Sequence, residues 1–147
     1  MITVMINDGA LNISKKILIV DDDPDIVLFL STLLQDNGFS TIDAPNGQIG
    51  LEKVKSENPD LVLLDLMMPQ KSGISMLEDL KKDNNLKMIP VIMVTGVSAE
   101  TGIDLRSFFD RSLNGDKDGG LLRHEGFLEK PLDPQKVIRM LKKVLKL

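Results

Sequence analysis

Residues 17–24 read Ile-Leu-Ile-Val-Asp-Asp-Asp-Pro, four aliphatic residues running straight into three aspartates and a proline. An unbroken apolar run of this length suits a strand covered on both faces, and Asp23-Pro24 reads as a helix N-cap followed by the first helical position. A strand that turns directly into a helix is the start of a βα unit. Three further runs end the same way: Leu61 to Leu64 before Asp65, Val91 to Val94 before Thr95, and Phe127 to Glu129 before Lys130. In an open parallel sheet the loops leaving the carboxyl ends of the strands meet over one crevice. Carboxylates, a hydroxyl and an ammonium are therefore expected to face one another.

Around these runs the chain alternates short Val/Ile/Leu segments with segments of helical period, and five βα units can be counted. In the first helix Ile26, Phe29, Leu30, Leu33 and Leu34 form an apolar stripe that Gly38 stops. Phe39 to Ala44 reads as an edge strand, followed by Asn46 as a cap and a helix turning Gly47, Gly50, Leu51 and Val54 to the sheet. Ile74, Leu77 and Leu80 mark the third helix, and Pro90 opens the fourth strand. The last helix begins at Asp133-Pro134, lines up Val137, Ile138, Leu141, Val144 and Leu145, and carries Lys142, Lys143 and Lys146 near its negative end. Residues 1–15 show no sustained period and contain the turn signal Asn7-Asp8-Gly9, so they read as a flexible N-terminal arm ahead of one domain over 16–147.

Composition narrows the function classes. A chain of 147 residues suits a single compact domain, and no stretch has the length and apolarity of a membrane span. Met1 to Ile6 lacks the layout of a secretory signal and the chain has no cysteine, so the cytoplasm is expected. A net charge of −4 gives no general attraction to phosphate backbones, and the five aromatic residues are all Phe. Direct nucleic-acid binding and a membrane partner are not expected.

Right-handed crossovers give such a doubly wound sheet the order 2-1-3-4-5, with helices on both faces. Strands one and three then lie side by side, so Asp21, Asp22 and Asp65 become neighbours. Two carboxylates about 4 Å apart repel by roughly 4 kcal/mol at an effective dielectric of about 20. Three together call for a cation or a raised pKa. All-oxygen donors without His or Cys favour a hard ion such as Mg²⁺. A metal held by carboxylates, with one aspartate free to attack, is an arrangement for phosphoryl transfer, and Lys130 and Thr95 supply groups for the phosphoryl oxygens.

Ile17-Leu-Ile-Val-Asp-Asp-Asp-Pro24, Leu63-Leu-Asp-Leu-Met-Met-Pro69, Val94-Thr-Gly96 and Glu129-Lys-Pro131 together resemble the motifs of a response-regulator receiver domain, over residues 15 to 146. The resemblance implies the flavodoxin-like α/β fold, whose strand order is the one above. It implies a stand-alone or excised receiver of a two-component system. Asp65 would be the phosphoacceptor, taking phosphate from the phosphohistidine of a sensor histidine kinase. Mg²⁺ would be bound by Asp22, Asp65 and the backbone carbonyl of Met67, with Asp21 acting through water. It further assigns Thr95 as the switch hydroxyl, Lys130 as the phosphate-pairing lysine, a cis Lys130-Pro131 bond, and room beside the phosphoryl group at Gly96. The family's partner and dimer surface is built from the fourth helix, fifth strand and fifth helix, where a downstream protein or a second copy would bind. Such a domain catalyses only its own phosphorylation and dephosphorylation.

Two positions depart from the family pattern. Phe127 stands where a switching Tyr is common; it reads either as a switch residue without a hydroxyl or as a core Phe. Met67 cannot orient water, which implies slow autodephosphorylation. The chain is also long between Thr95 and Lys130, with an insertion around 103–125 that includes Asn114-Gly-Asp-Lys-Asp-Gly-Gly-Leu-Leu-Arg-His-Glu125. This resembles an EF-hand calcium loop with Asn114, Asp116, Asp118 and Glu125 as ligands and Gly119 at the turn. Asn114 replaces the usual first Asp and Gly126-Phe-Leu must begin a strand, so an extended solvated turn is the competing reading. His124 is assigned no chemistry. Two other functions fit parts of the pattern. Asp21-Asp22-Asp23 contains the Asp-x-Asp of a haloacid-dehalogenase-like small phosphatase, and a pseudo-receiver would bind partners without phosphate.

Overall fold

The computed structural model describes residues 3–5, 11–68, 72–96 and 125–147. Its centre is a five-stranded parallel sheet of β3 (Lys16–Val20), β4 (Ser40–Ala44), β5 (Leu61–Asp65), β6 (Val91–Thr95) and β7 (Gly126–Glu129), ordered β4-β3-β5-β6-β7. This is the expected 2-1-3-4-5 order. Helices α1 (Pro24–Asp36), α2 (Gly47–Glu57), α3 (Gly73–Lys82) and α4 (Pro134–Leu145) complete the described elements of the domain. Within the arm, β1 (Thr3–Met5) pairs antiparallel with β2 (Leu11–Ile13), a ladder the sequence reading did not anticipate. The Asn7-Asp8-Gly9 turn signal falls between them, outside the described residues.

Alternation along the strands divides the interior in two. Ile17, Ile19, Leu61, Leu63, Ile92 and Val94 point to the α1 and α4 side, where they meet Leu30, Leu34, Val137 and Leu141. Leu18, Val20, Val62, Leu64, Val91 and Met93 point to the other side and meet Val54, Met76, Leu77 and Leu80 of α2 and α3. β3, β5 and β6 are buried on both faces, as their unbroken apolar runs require.

The helix starts follow the expected capping chemistry. Asp23 Oδ1 accepts the Asp25 N–H at 2.9 Å with Pro24 at the first position. Asn46 Oδ1 accepts the Ile49 N–H at 2.9 Å, and Asp133 Oδ1 the Gln135 N–H at 2.9 Å. Gly38, at φ +88°, carries the left-handed turn that ends α1. One expectation needs correction: Phe29 is 36% exposed rather than part of the buried stripe. Leu30 and Leu34 set the face that meets the sheet, and Phe29 lies about 100° round the helix from Leu30.

Candidate functional site

The strand tips carry the polar residues to one end of the sheet. Asp21 follows β3, Asp65 closes β5, Thr95 closes β6 and Lys130 follows β7. Register fixes their depth, since Val20 pairs with Leu64 and Thr95 with Glu129. The Lys130 N–H donates to the Thr95 carbonyl at 2.7 Å, which anchors the lysine backbone beside that threonine. A Cβ added to Gly96 would stand 3.9 Å from Lys130 Cδ, so the space there is small but open.

Asp21, Asp22 and Asp65 each place a carboxylate oxygen within 4.8 Å of the others. Asp21 is buried; its Oδ1 accepts the Asp23 N–H at 2.9 Å and its Oδ2 accepts Lys130 Nζ at 3.0 Å. Asp65 is only 4% exposed; its Oδ1 accepts the Met67 N–H at 3.1 Å and its Oδ2 lies 3.7 Å from Lys130 Nζ. Asp22 is exposed at the rim. Burial pushes the Asp65 carboxyl up to about 6, with the charges of Asp21 and Asp22 acting the same way and the Met67 N–H and Lys130 opposing.

Thr95 is fully buried, and its Oγ1 has no hydrogen-bond partner among the described residues. An unpaired buried hydroxyl costs about 1–3 kcal/mol. Its persistence at the tip of β6 suits a group held for a ligand. Hard oxygen donors, one ammonium and one waiting hydroxyl fit a dianionic group bound together with a divalent cation.

Five expected site residues, Asp21, Asp22, Asp65, Thr95 and Lys130, are thus brought to one end of the sheet, and the Lys130-Pro131 bond is cis. The Met67 side chain stands 61% exposed. Phe127 is half-buried and packs against the core on the α2 and α3 side. Asn114, Asp116, Asp118 and His124 lie outside the described residues. Glu125 is engaged elsewhere: Oε2 accepts the Val91 N–H at 2.6 Å and Oε1 lies 3.7 Å from Lys81 Nζ. A carboxylate tied to a backbone donor and a lysine is poorly placed to serve as the bidentate calcium ligand that the loop reading required.

Sequence reasoning missed Gly73. A Cβ there would come 2.2 Å from the Asp65 carbonyl oxygen, so only glycine lets α3 begin against the backbone that carries the central carboxylate. Ser72, whose Oγ accepts the Ser75 N–H at 3.2 Å, was a readable cap signal next to it.

The family model for the response regulator receiver domain matches residues 17–106. The chain belongs to this family. Among curated receivers and regulators, it is 33% identical over 133 residues to the alkaline phosphatase synthesis transcriptional regulatory protein PhoP of Bacillus subtilis, covering 90% of this chain and 49% of that one. Protein PilH of Pseudomonas aeruginosa is 32% identical over 130 residues, covering 88% of this receiver and 97% of PilH. A CheY-like response regulator receiver domain from Methanospirillum hungatei superposes with a TM-score of 0.74 at 27% identity, covering 91% and 95% of the two chains. The receiver therefore spans about half of PhoP and nearly all of PilH. No helix among the described residues is long and apolar enough to cross a membrane.

Proposed function

We propose that this receiver takes a phosphoryl group on Asp65 from the phosphohistidine of a sensor histidine kinase and thereby switches a protein-interaction surface. One observation carries the proposal: three carboxylates lie within 4.8 Å, with Lys130 Nζ 3.0 Å from Asp21 and 3.7 Å from Asp65. In the transfer, an Asp65 oxygen bonds to phosphorus as the P–N bond to the donor imidazole breaks. Lys130 already bridges Asp21 and Asp65, so a short movement brings its ammonium to a phosphoryl oxygen. The unpartnered Thr95 hydroxyl gains a partner in another. Asp21, Asp22, Asp65 and the Met67 carbonyl are the groups that would hold Mg²⁺, which when bound neutralises charge on the phosphoryl oxygens.

Phosphorylation creates differential contacts at Thr95 and Lys130, and a two-state surface responds to such a difference. We assign the output surface to the side of β7 and α4, the fifth strand and fifth helix of the sequence reading, whose fourth helix lies outside the described residues; there Phe127, Leu132, Lys136, Arg139 and Met140 line a groove of about 480 Å³. A downstream protein or a second copy would bind there, in the cytoplasm. The phosphatase reading needs Asp21 as nucleophile, but both its oxygens are engaged by Asp23 N–H and Lys130. The test is mass spectrometry after incubation with Mg²⁺ and acetyl phosphate. One added phosphoryl group on wild type, absent from Asp65→Asn, is the expected result; a blank on wild type with a donor active on another receiver overturns it.

A further inference from the structure

The chain has eight methionines and no cysteine, so its only oxidisable sulfur is thioether. Three of the described sulfurs are shielded. Met76 and Met93 are fully buried and Met68 is 9% exposed. Among the described side chains only Met67 and Met88 stand well out in solvent, at 61% and 73%. Met88 lies just before β6, at the end of the sheet away from the acidic cluster. Met67 lies within two residues of Asp65 and its N–H donates to Asp65 Oδ1.

We propose that Met67 is an oxidation site whose thioether-to-sulfoxide conversion shortens the life of the aspartyl phosphate; the inference rests on Asp65 being the phosphoacceptor. A sulfur lone pair attacks one oxygen of hydrogen peroxide, the O–O bond breaks, and water leaves with the second oxygen. Sulfur loses two electrons and peroxide gains them. The Met67 N–H lies 3.1 Å from Asp65 Oδ1, so the flexible thioether is carried within reach of an acyl phosphate there, and it offers a water molecule only a weak acceptor. The sulfoxide oxygen is a strong acceptor on the same flexible side chain, so it can orient a water molecule toward phosphorus. The oxidation state of one exposed side chain then sets how long the signal lasts.

The experiment uses the whole chain treated with graded hydrogen peroxide. Peptide mass spectrometry should show oxygen added at Met67 and Met88 before Met68, Met76 and Met93. Treated and untreated samples are then phosphorylated with acetyl phosphate, freed of donor, and followed by intact mass. Loss of the phosphoryl group should be several-fold faster after treatment of wild type and of Met88→Leu, and unchanged by treatment in Met67→Leu. Untreated Met67→Gln should decay fast, and methionine sulfoxide reductase should restore the slow decay of treated wild type. Oxidation of Met67 no faster than of Met76, or an equal peroxide response in wild type and Met67→Leu, overturns the inference while leaving Asp65 as acceptor. Failure of untreated wild type to take up phosphate overturns both.

Discussion

Asp65 is a nearly buried carboxylate set beside two others, and its pKa of about 6 against an ordinary 3.8 has a definite sign for stability. Between those two values the folded chain keeps a proton that the unfolded chain has released, so raising the pH through this window weakens the fold. Asp65→Asn should therefore unfold at higher denaturant than wild type at neutral pH. That advantage should vanish below about pH 4, a difference that urea titrations at several pH values will read. At Thr95 the expected outcome separates stability from function. Thr95→Val removes a hydroxyl with no partner, so stability should hold or rise by about 1 kcal/mol while phosphorylation-dependent changes at the partner surface are lost. Gly73→Ala pushes a methyl group against the Asp65 carbonyl. It should cost about 1–3 kcal/mol in urea unfolding and slow phosphorylation by acetyl phosphate, because the backbone that yields is the one holding the proposed phosphoacceptor.

The elements differ in how plainly the sequence announces them. β3, β5 and β6 are unbroken aliphatic runs, and α1 opens with Asp23-Pro24, so type and start were both legible. Asp23→Ala should cost about 1 kcal/mol, read as a lower urea midpoint with an unchanged slope. Asp21, Asp22, Asp65, Thr95 and Lys130 were readable because each directly ends or follows such a run. What escaped notice depends on facts no local pattern holds. Phe29 fits a helical stripe on paper, yet the sheet lies under Leu30 and Leu34, and rotation about the helix axis is set by packing. The pairing of β1 with β2 involves three residues a side, too few for periodicity to show. The need for glycine at position 73 arises from a carbonyl eight residues away in sequence, at Asp65.

Across the whole molecule, a cation that binds the folded state alone stabilises it by mass action. Millimolar Mg²⁺ should raise the melting temperature of wild type and do so far less for Asp22→Ala, whose exposed side chain makes no hydrogen bond or ion pair among the described residues. A similar rise in both would remove the acidic cluster as the binding place. At the far end of the sheet, Lys81 is buried, with Nζ donating at 3.2 Å to the carbonyls of Lys87 and Ile89 and lying beside Glu125. Glu125→Ala takes the acceptor from the Val91 N–H as well as weakening the contact with Lys81, so it should destabilise by about 1–3 kcal/mol, with the cost read in urea.

The side chains at the rim all come from one polypeptide and are seated on a rigid sheet before any donor arrives. On the proposed phosphoryl transfer, a donor would have to bring little besides a good leaving group, and small energy-rich phosphate donors should serve alongside a sensor kinase. Fidelity would then rest on recognition surfaces and on relative concentrations rather than on the chemistry of the pocket.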